Sequence, residues 1–239
     1  PGAAFTANIQ LGTLLAVLIY FWRDLSRIFL GWTASLGNPT KRGTSEAKLG
    51  WGIAIGSVPI IVLGYLLKDQ IETSLRSLYV IAGMLIFMAV LLWVAERVSS
   101  KKRNLDSLTA RDGLIIGLFQ AIALIPGASR SGSTITGGLL LGLDRETAAR
   151  YSFLLSVPSI FLAAAYTAFK HRAEFSGAML TPLIAANVCS FAVGYACIAF
   201  LINFLKKNSN AVFIGYRVIL GIGILALLAM GRLSEFAGM

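Results

Sequence analysis

Residues 113–143 read GLIIGLFQAIALIPGASRSGSTITGGLLLGL. Both ends of this stretch are apolar. In its middle Pro126, Gly127 and Gly132 surround one charge, Arg130, set among hydroxyls. Pro and Gly break a helix, so the stretch divides into two arms. The first, 113–125, is about 20 Å long as a helix, and the second, 134–143, about 15 Å. Neither crosses a hydrocarbon core of ~30 Å. Non-helical backbone is tolerated at membrane depth only inside protein or beside a wet cavity. The stretch therefore predicts a re-entrant hairpin with its tip, PGASRSGS, buried near the midplane.

The rest of the chain supports a membrane setting. Its 239 residues are 56% hydrophobic and 13% charged, with a mean hydropathy of +0.76. Soluble domains carry about 25% charged residues. The opening PGAAFTANIQ has no basic n-region, so no cleavable signal peptide is expected. Uncharged runs at 1–22, 49–67, 77–95, 151–169 and 175–205, and a run at 208–231 interrupted only by Arg217, predict six spanning helices. The expected fold is an all-α integral membrane protein with six transmembrane helices and one re-entrant helix–loop–helix hairpin.

Charge orients it. If 113–143 enters and leaves on one side, the loops at 23–48, 97–112, 144–150 and 206–207 share a face with fourteen Lys and Arg, against five on the other. If 113–143 crosses once, the asymmetry shrinks to thirteen against six. The positive-inside rule then places the basic loops in the cytoplasm. The net charge of +10 belongs beside anionic membrane lipid, and no nucleic acid partner is expected. Residues 1–98 read as three spans, 99–112 as a basic cytoplasmic linker, and 113–239 as the hairpin plus three spans. The first span of each half runs in the opposite direction, an inverted-topology repeat that puts a site at the midplane.

Other candidate chemistry is sparse. Cys189 and Cys197 stand eight residues apart, about 12 Å on a helix and too far for a disulfide. His171 lies in the polar stretch KHRAEF and reads as loop, and no Cys/His metal spacing exists. Asp144 and Glu146 stand at a helix start, where the dipole favours acids.

The tip is an anion site in outline. A helix beginning near Thr134 would point its first N–H groups outward. Ser129, Ser131, Ser133 and Thr134 add hydroxyls, and Arg130 adds a planar fork that suits phosphate oxygens. A phosphorylated ligand would offset the cost of burying Arg130, about 2.5–3.5 kcal/mol on insertion scales. The alternative is that Arg130 pairs with carbonyls or an acid to hold the hairpin, with the serines as helix caps.

PGASRSGSTITGG closely resembles the PGxSRSxxT signature of the bacterial undecaprenyl-diphosphate phosphatase, or bacitracin-resistance, family. The likeness extends through FQAIALIPGASRSGSTITGGLLLGLDRETAARYSFLLSVP, and TANIQLGTLLAVLIYFWRDL and IGYRVILG also resemble family segments. The resemblance implies a phosphatase of the bacterial cytoplasmic membrane that removes the terminal phosphate of a long isoprenyl diphosphate. It implies a lipid monophosphate product for cell-wall synthesis, a divalent cation (Mg or Ca), and access from the outer face. Carried onto this chain, it implies that Arg130 clamps the diphosphate, that Ser129, Ser131 and Thr134 hydrogen-bond its oxygens beside Gly132 and Ser133, and that Gly127 permits close backbone approach. Gln120 matches a family position and either bonds the site or packs between helices. Gln10 and the Tyr216–Arg217 pair match as well. Arg217 is either a supporting anion contact or a packing-locked arginine.

The family also carries an N-terminal hairpin with paired glutamates, a Ser-rich tip and a histidine. No residue before Arg23 is Glu, Asp or His. The expectation is that the chain starts after that hairpin, that cation ligands, nucleophile and base lie outside it, and that residues 1–239 by themselves bind without turnover. A homodimer is compatible with the sequence. The competing functions are a flippase or transporter for a phosphorylated polyprenyl lipid, and a structural membrane subunit, which leaves Arg130 unexplained.

Overall fold

The computed structural model describes residues 3–170 and 180–236. His171 lies outside them. Ten α-helices carry the described chain: α1 (Ala3–Tyr20), α2 (Trp22–Gly37), α3 (Ser45–Leu66), α4 (Lys68–Glu72), α5 (Leu78–Val98), α6 (Ala110–Ile122), α7 (Arg130–Leu140), α8 (Arg145–Lys170), α9 (Leu180–Lys207) and α10 (Ala211–Ala229). Among the described residues the β-structure is one isolated bridge, Arg103 to Leu143. Every uncharged run forms a helix where it is described. Five helices are long and apolar enough to cross a membrane, and the apolar part of α1, Ile9–Tyr20, is shorter. Their outward faces carry large exposed apolar side chains such as Val62, Phe87, Val193 and Ile219, as lipid contact requires.

The loop expected at 23–48 is largely helical, because α2 occupies its first half. Arg23 and Arg27, charges that suit a loop, lie one turn apart on a helix whose other positions follow a 3.6-residue apolar period. Ile28 faces the core, while Trp22, Phe29, Leu30 and Leu36 face outward.

Ion pairs gather one end of the bundle. Asp24 in α2 accepts from Arg150 in α8 at 2.7 Å. Glu96 at the end of α5 pairs with Arg145 and accepts from Asn210 Nδ2 at 2.9 Å. Lys206 of α9 reaches Glu146 at 3.6 Å. Asp144 accepts from the Thr147 N–H at 2.8 Å, capping the start of α8. These contacts join the four loops that the charge count assigned to one face.

The segment 113–143 starts and finishes at this end. Arg103 clamps both termini: its guanidinium bonds both carboxylate oxygens of Asp112 at 3.1 and 2.8 Å and the Leu141 carbonyl at 3.0 Å. The Asp144 N–H donates to the Arg103 carbonyl at 2.9 Å. Burial pushes the Asp112 carboxyl up, but hydrogen bonds from Arg103 and Thr109 outweigh it and hold the group below the usual carboxylate range. Thr109 and Asp112 also form a capping box that starts α6.

Between its ends the segment is a helix–turn–helix. Its first arm is seated on α3 through glycines: a β-carbon on Gly113 would lie 2.6 Å from the Gly52 carbonyl carbon, and one on Gly117 2.6 Å from Gly56 Cα. The two four-residue glycine spacings let the backbones touch, the packing that helices use in lipid.

Candidate anion site

α7 begins at Arg130, four residues before the start expected at Thr134. Ser129 is its N-cap: Ser129 Oγ accepts from the Gly132 N–H at 3.2 Å, and the Ser133 N–H bonds the Ser129 carbonyl at 2.9 Å. The Ser- and Gly-rich run reads as a breaker, but one capping serine at positive φ (67°) is enough to turn the chain straight into a helix. Among the described residues, the first N–H groups of α7, those of Arg130 and Ser131, are left without a hydrogen-bond partner and carry the positive end of the dipole.

Arg130 is partly buried, and its side chain makes no hydrogen bond or ion pair among the described residues. It borders a cavity of about 420 Å³ together with Ser131, Thr13 of α1, Ser152 and Ser156 of α8, and Cys197 of α9. Ser152, Ser156 and Ser159 recur at helical spacing, so they form a hydroxyl stripe on the α8 face beside the arginine. The sequence reading missed this stripe. Its signal was present as YSFLLSVPS, three serines at i, i+4 and i+7 in an apolar helix.

The other hydroxyls at the tip are already engaged. Thr134 is fully buried; its Oγ1 donates to the Arg130 carbonyl at 2.9 Å and shares a 2.6 Å hydrogen bond with Ser152 Oγ. Ser133 Oγ donates to the Ser129 carbonyl at 2.9 Å. These two fix the start of α7 and tie it to α8. Ser131, in contrast, makes no side-chain hydrogen bond among the described residues and lines the cavities on both sides of the helix end.

Arg217 braces the turn from α10. One of its terminal nitrogens donates to the carbonyls of Gly127 and Ala128, each at 2.9 Å, while its Nε has no partner among the described residues. Gly132 leaves room for it, since a β-carbon there would sit 3.1 Å from the Arg217 guanidinium. Gly127 has φ +90°, and the space its β-carbon would take is filled by the Ile81 backbone of α5, 3.0 Å away. Its close approach is thus to α5. Gln120 is fully buried in α6, and neither of its amide atoms has a partner among the described residues. Gln10 is exposed and borders a second cavity beside Arg130, and Tyr216 is 64% exposed on α10. Cys189 and Cys197 are free thiols.

The implied divalent cation needs hard oxygen ligands, chiefly carboxylates. Among the described residues no three His, Cys, Asp or Glu side chains form a set that could hold a metal ion. The groups around Arg130 are hydroxyls, a thiol and backbone N–H, which do not fit a cation. What these residues can do is bind a tetrahedral oxyanion. Arg130 offers a fork, the helix end offers N–H donors, and Ser131 offers a hydroxyl.

The family model for the bacitracin resistance protein BacA matches residues 1–223. The chain is similar to the undecaprenyl-diphosphatase of Chloroherpeton thalassium, with 50% identity over 99% of this chain and 87% of that protein. It is 51% identical to the undecaprenyl-diphosphatase of Chlorobium limicola over 98% of this chain and 86% of that protein. The same-named protein of Pseudarthrobacter chlorophenolicus is 46% identical over the same shares. With a match that runs through the Arg130 tip and nearly the whole bundle, this chain is a member of the bacitracin resistance protein BacA family.

Proposed function

We propose that the protein is an integral-membrane phosphatase that converts undecaprenyl diphosphate to undecaprenyl phosphate in the bacterial cytoplasmic membrane, returning the lipid carrier to cell-wall synthesis. The observation that carries this reading is Arg130, an intramembrane guanidinium without a hydrogen-bond or ion-pair partner among the described residues, at a helix N-terminus beside a hydroxyl-lined cavity. The names of the relatives favour hydrolysis over transport.

In this reading six helices span and 113–143 is re-entrant, with both ends in the cytoplasm. Support comes from the Arg103 clamp, which holds those ends together. The halves 1–98 and 113–239 then form an inverted repeat. Arg130, the α7 N–H groups and Ser131 contact the diphosphate. Ser129 and Thr134 act on the reaction by fixing the start of α7, and Arg217 by fixing the turn. Phosphoryl transfer spreads negative charge over the oxygens of the moving group, and donors already fixed in a dry site stabilise it without reorganising.

The test is divalent-dependent phosphate release from undecaprenyl diphosphate, in lipid vesicles, by the purified protein carrying the family's paired-glutamate hairpin. Release is expected for the parent, with a loss of about 100-fold or more in Arg130→Ala at unchanged helix content. A parent that releases none, or an Arg130→Ala variant that keeps its rate, overturns the reading.

A further inference from the structure

We propose that Lys68 is a second phosphate station, at the mouth opposite the basic loops, through which freed inorganic phosphate leaves. The proposal rests on the phosphatase reading for the source of that ion.

Arg130 borders a second cavity, of about 470 Å³, whose lining also includes Gln10, Tyr65, Lys68, Ser159 and Tyr166. The cavity lies between α1, α3 and α8, and Lys68 stands just beyond the C-terminus of α3. This is the end of the bundle where the Leu78 N–H and Ser77 Oγ bond Glu235, far along α3 from the Glu46 end. Lys68 makes no hydrogen bond or ion pair among the described residues. Two cations therefore border one cavity, and the described residues of its lining include no carboxylate. Low-dielectric walls focus such a field and raise the local anion concentration.

The two cations differ in a way that suits successive roles. The guanidinium of Arg130 is rigid and weakly hydrated, fit to hold a phosphoryl group in one geometry. The ammonium of Lys68 is a flexible, strongly hydrated point charge, fit to pass an ion to water. The exposed rings of Tyr65 and Tyr166 flank this mouth. The competing exit, past Arg217, has its guanidinium held by the turn carbonyls.

Lys68→Gln and Lys68→Arg are compared with the parent in vesicles. Lys68→Gln should raise the inhibition constant for inorganic phosphate about 5–10-fold, the worth of one lost charged contact, and Lys68→Arg should stay near the parent. Unchanged inhibition in Lys68→Gln, or equal impairment in both, overturns the proposal. A second measurement does not depend on turnover. Tyr65→Cys, at the same mouth with Lys68 kept, should react with a membrane-impermeant maleimide, above the labelling of the parent's own cysteines, from the face opposite the one that labels Lys102→Cys. Inorganic phosphate should slow that reaction when Lys68 is present and not in the Tyr65→Cys, Lys68→Gln double variant. Labelling from the Lys102 face, or labelling indifferent to phosphate, sinks the exit route even if the protein hydrolyses its substrate. Absence of hydrolysis with phosphate-sensitive labelling would instead remove the phosphatase reading and keep the anion station.

Discussion

Arginine does opposite jobs at the two ends of the hairpin. At the basic end Arg103, Arg145 and Arg150 each meet a carboxylate, from Asp112, Glu96 and Asp24 respectively. At the tip Arg130 meets none among the described residues. The paired guanidiniums hold loops together and have little capacity left for a ligand. The tip arginine leaves its charge uncompensated by protein, a cost that a bound oxyanion would relieve. Arg217 falls between them, satisfied at one nitrogen by carbonyls and unpaired at Nε.

The comparison breaks if lysine serves equally at both ends. Arg130→Lys should lower kcat/KM about 100-fold with little change in thermal stability, because a point charge cannot make the forked contact. Arg150→Lys should stay within a few-fold of the parent. Equal tolerance at both positions, read in one activity assay, would show that the tip does not use the fork.

The intermediate case is next in size. Arg217→Met should destabilise the protein by about 1–3 kcal/mol, since the Gly127 and Ala128 carbonyls lose their donor. Thermal unfolding checks this, and a lower kcat at unchanged KM would accompany it if the turn alone is disturbed.

The hydroxyls sharpen the contrast within the tip. Ser131→Ala should weaken competitive inhibition by inorganic phosphate by about 1 kcal/mol and leave the melting temperature in place. Thr134→Ala should do the reverse, because its hydroxyl is spent on the Arg130 carbonyl and Ser152. Matching behaviour of the two variants would dissolve the distinction between ligand-facing and structural hydroxyls.

The smallest effect is at the basic end. Asp112 has its carboxyl held low, so its ion pair stabilises fully above the unfolded value near 4 and is lost as pH falls through the lower folded value. Asp112→Asn should remove that acid-limb dependence, worth about 1 kcal/mol for a pair whose arginine side chain is 31% exposed. A parent and variant with identical stability slopes between about pH 5 and pH 2 would show that the clamp contributes nothing.

The helices and the tip arginine were legible because each is a contrast in one dimension, long uncharged runs between polar loops and one charge inside an apolar stretch. What escaped required knowing which faces meet. α2 was hidden because Arg23 and Arg27 mark loops and helix flanks equally well. α7 starts four residues before the expected Thr134 because serine serves as breaker and cap alike, and only the Ser129 dihedral decides. The stripe of Ser152, Ser156 and Ser159 and the glycines of α3 and α6 become meaningful once a partner surface is known.

The glycine contact also sets an order of assembly. α3 is synthesised about 65 residues before α6, a delay of roughly 3–13 s at ~5–20 residues per second. During that interval Gly52 and Gly56 present bare backbone to lipid or to the insertion machinery, with no native partner yet made. When α6 arrives, Gly113 and Gly117 close the gap and carry the following turn into place. The turn that carries Arg130 is thus built on a surface laid down in the membrane before any residue of that turn exists.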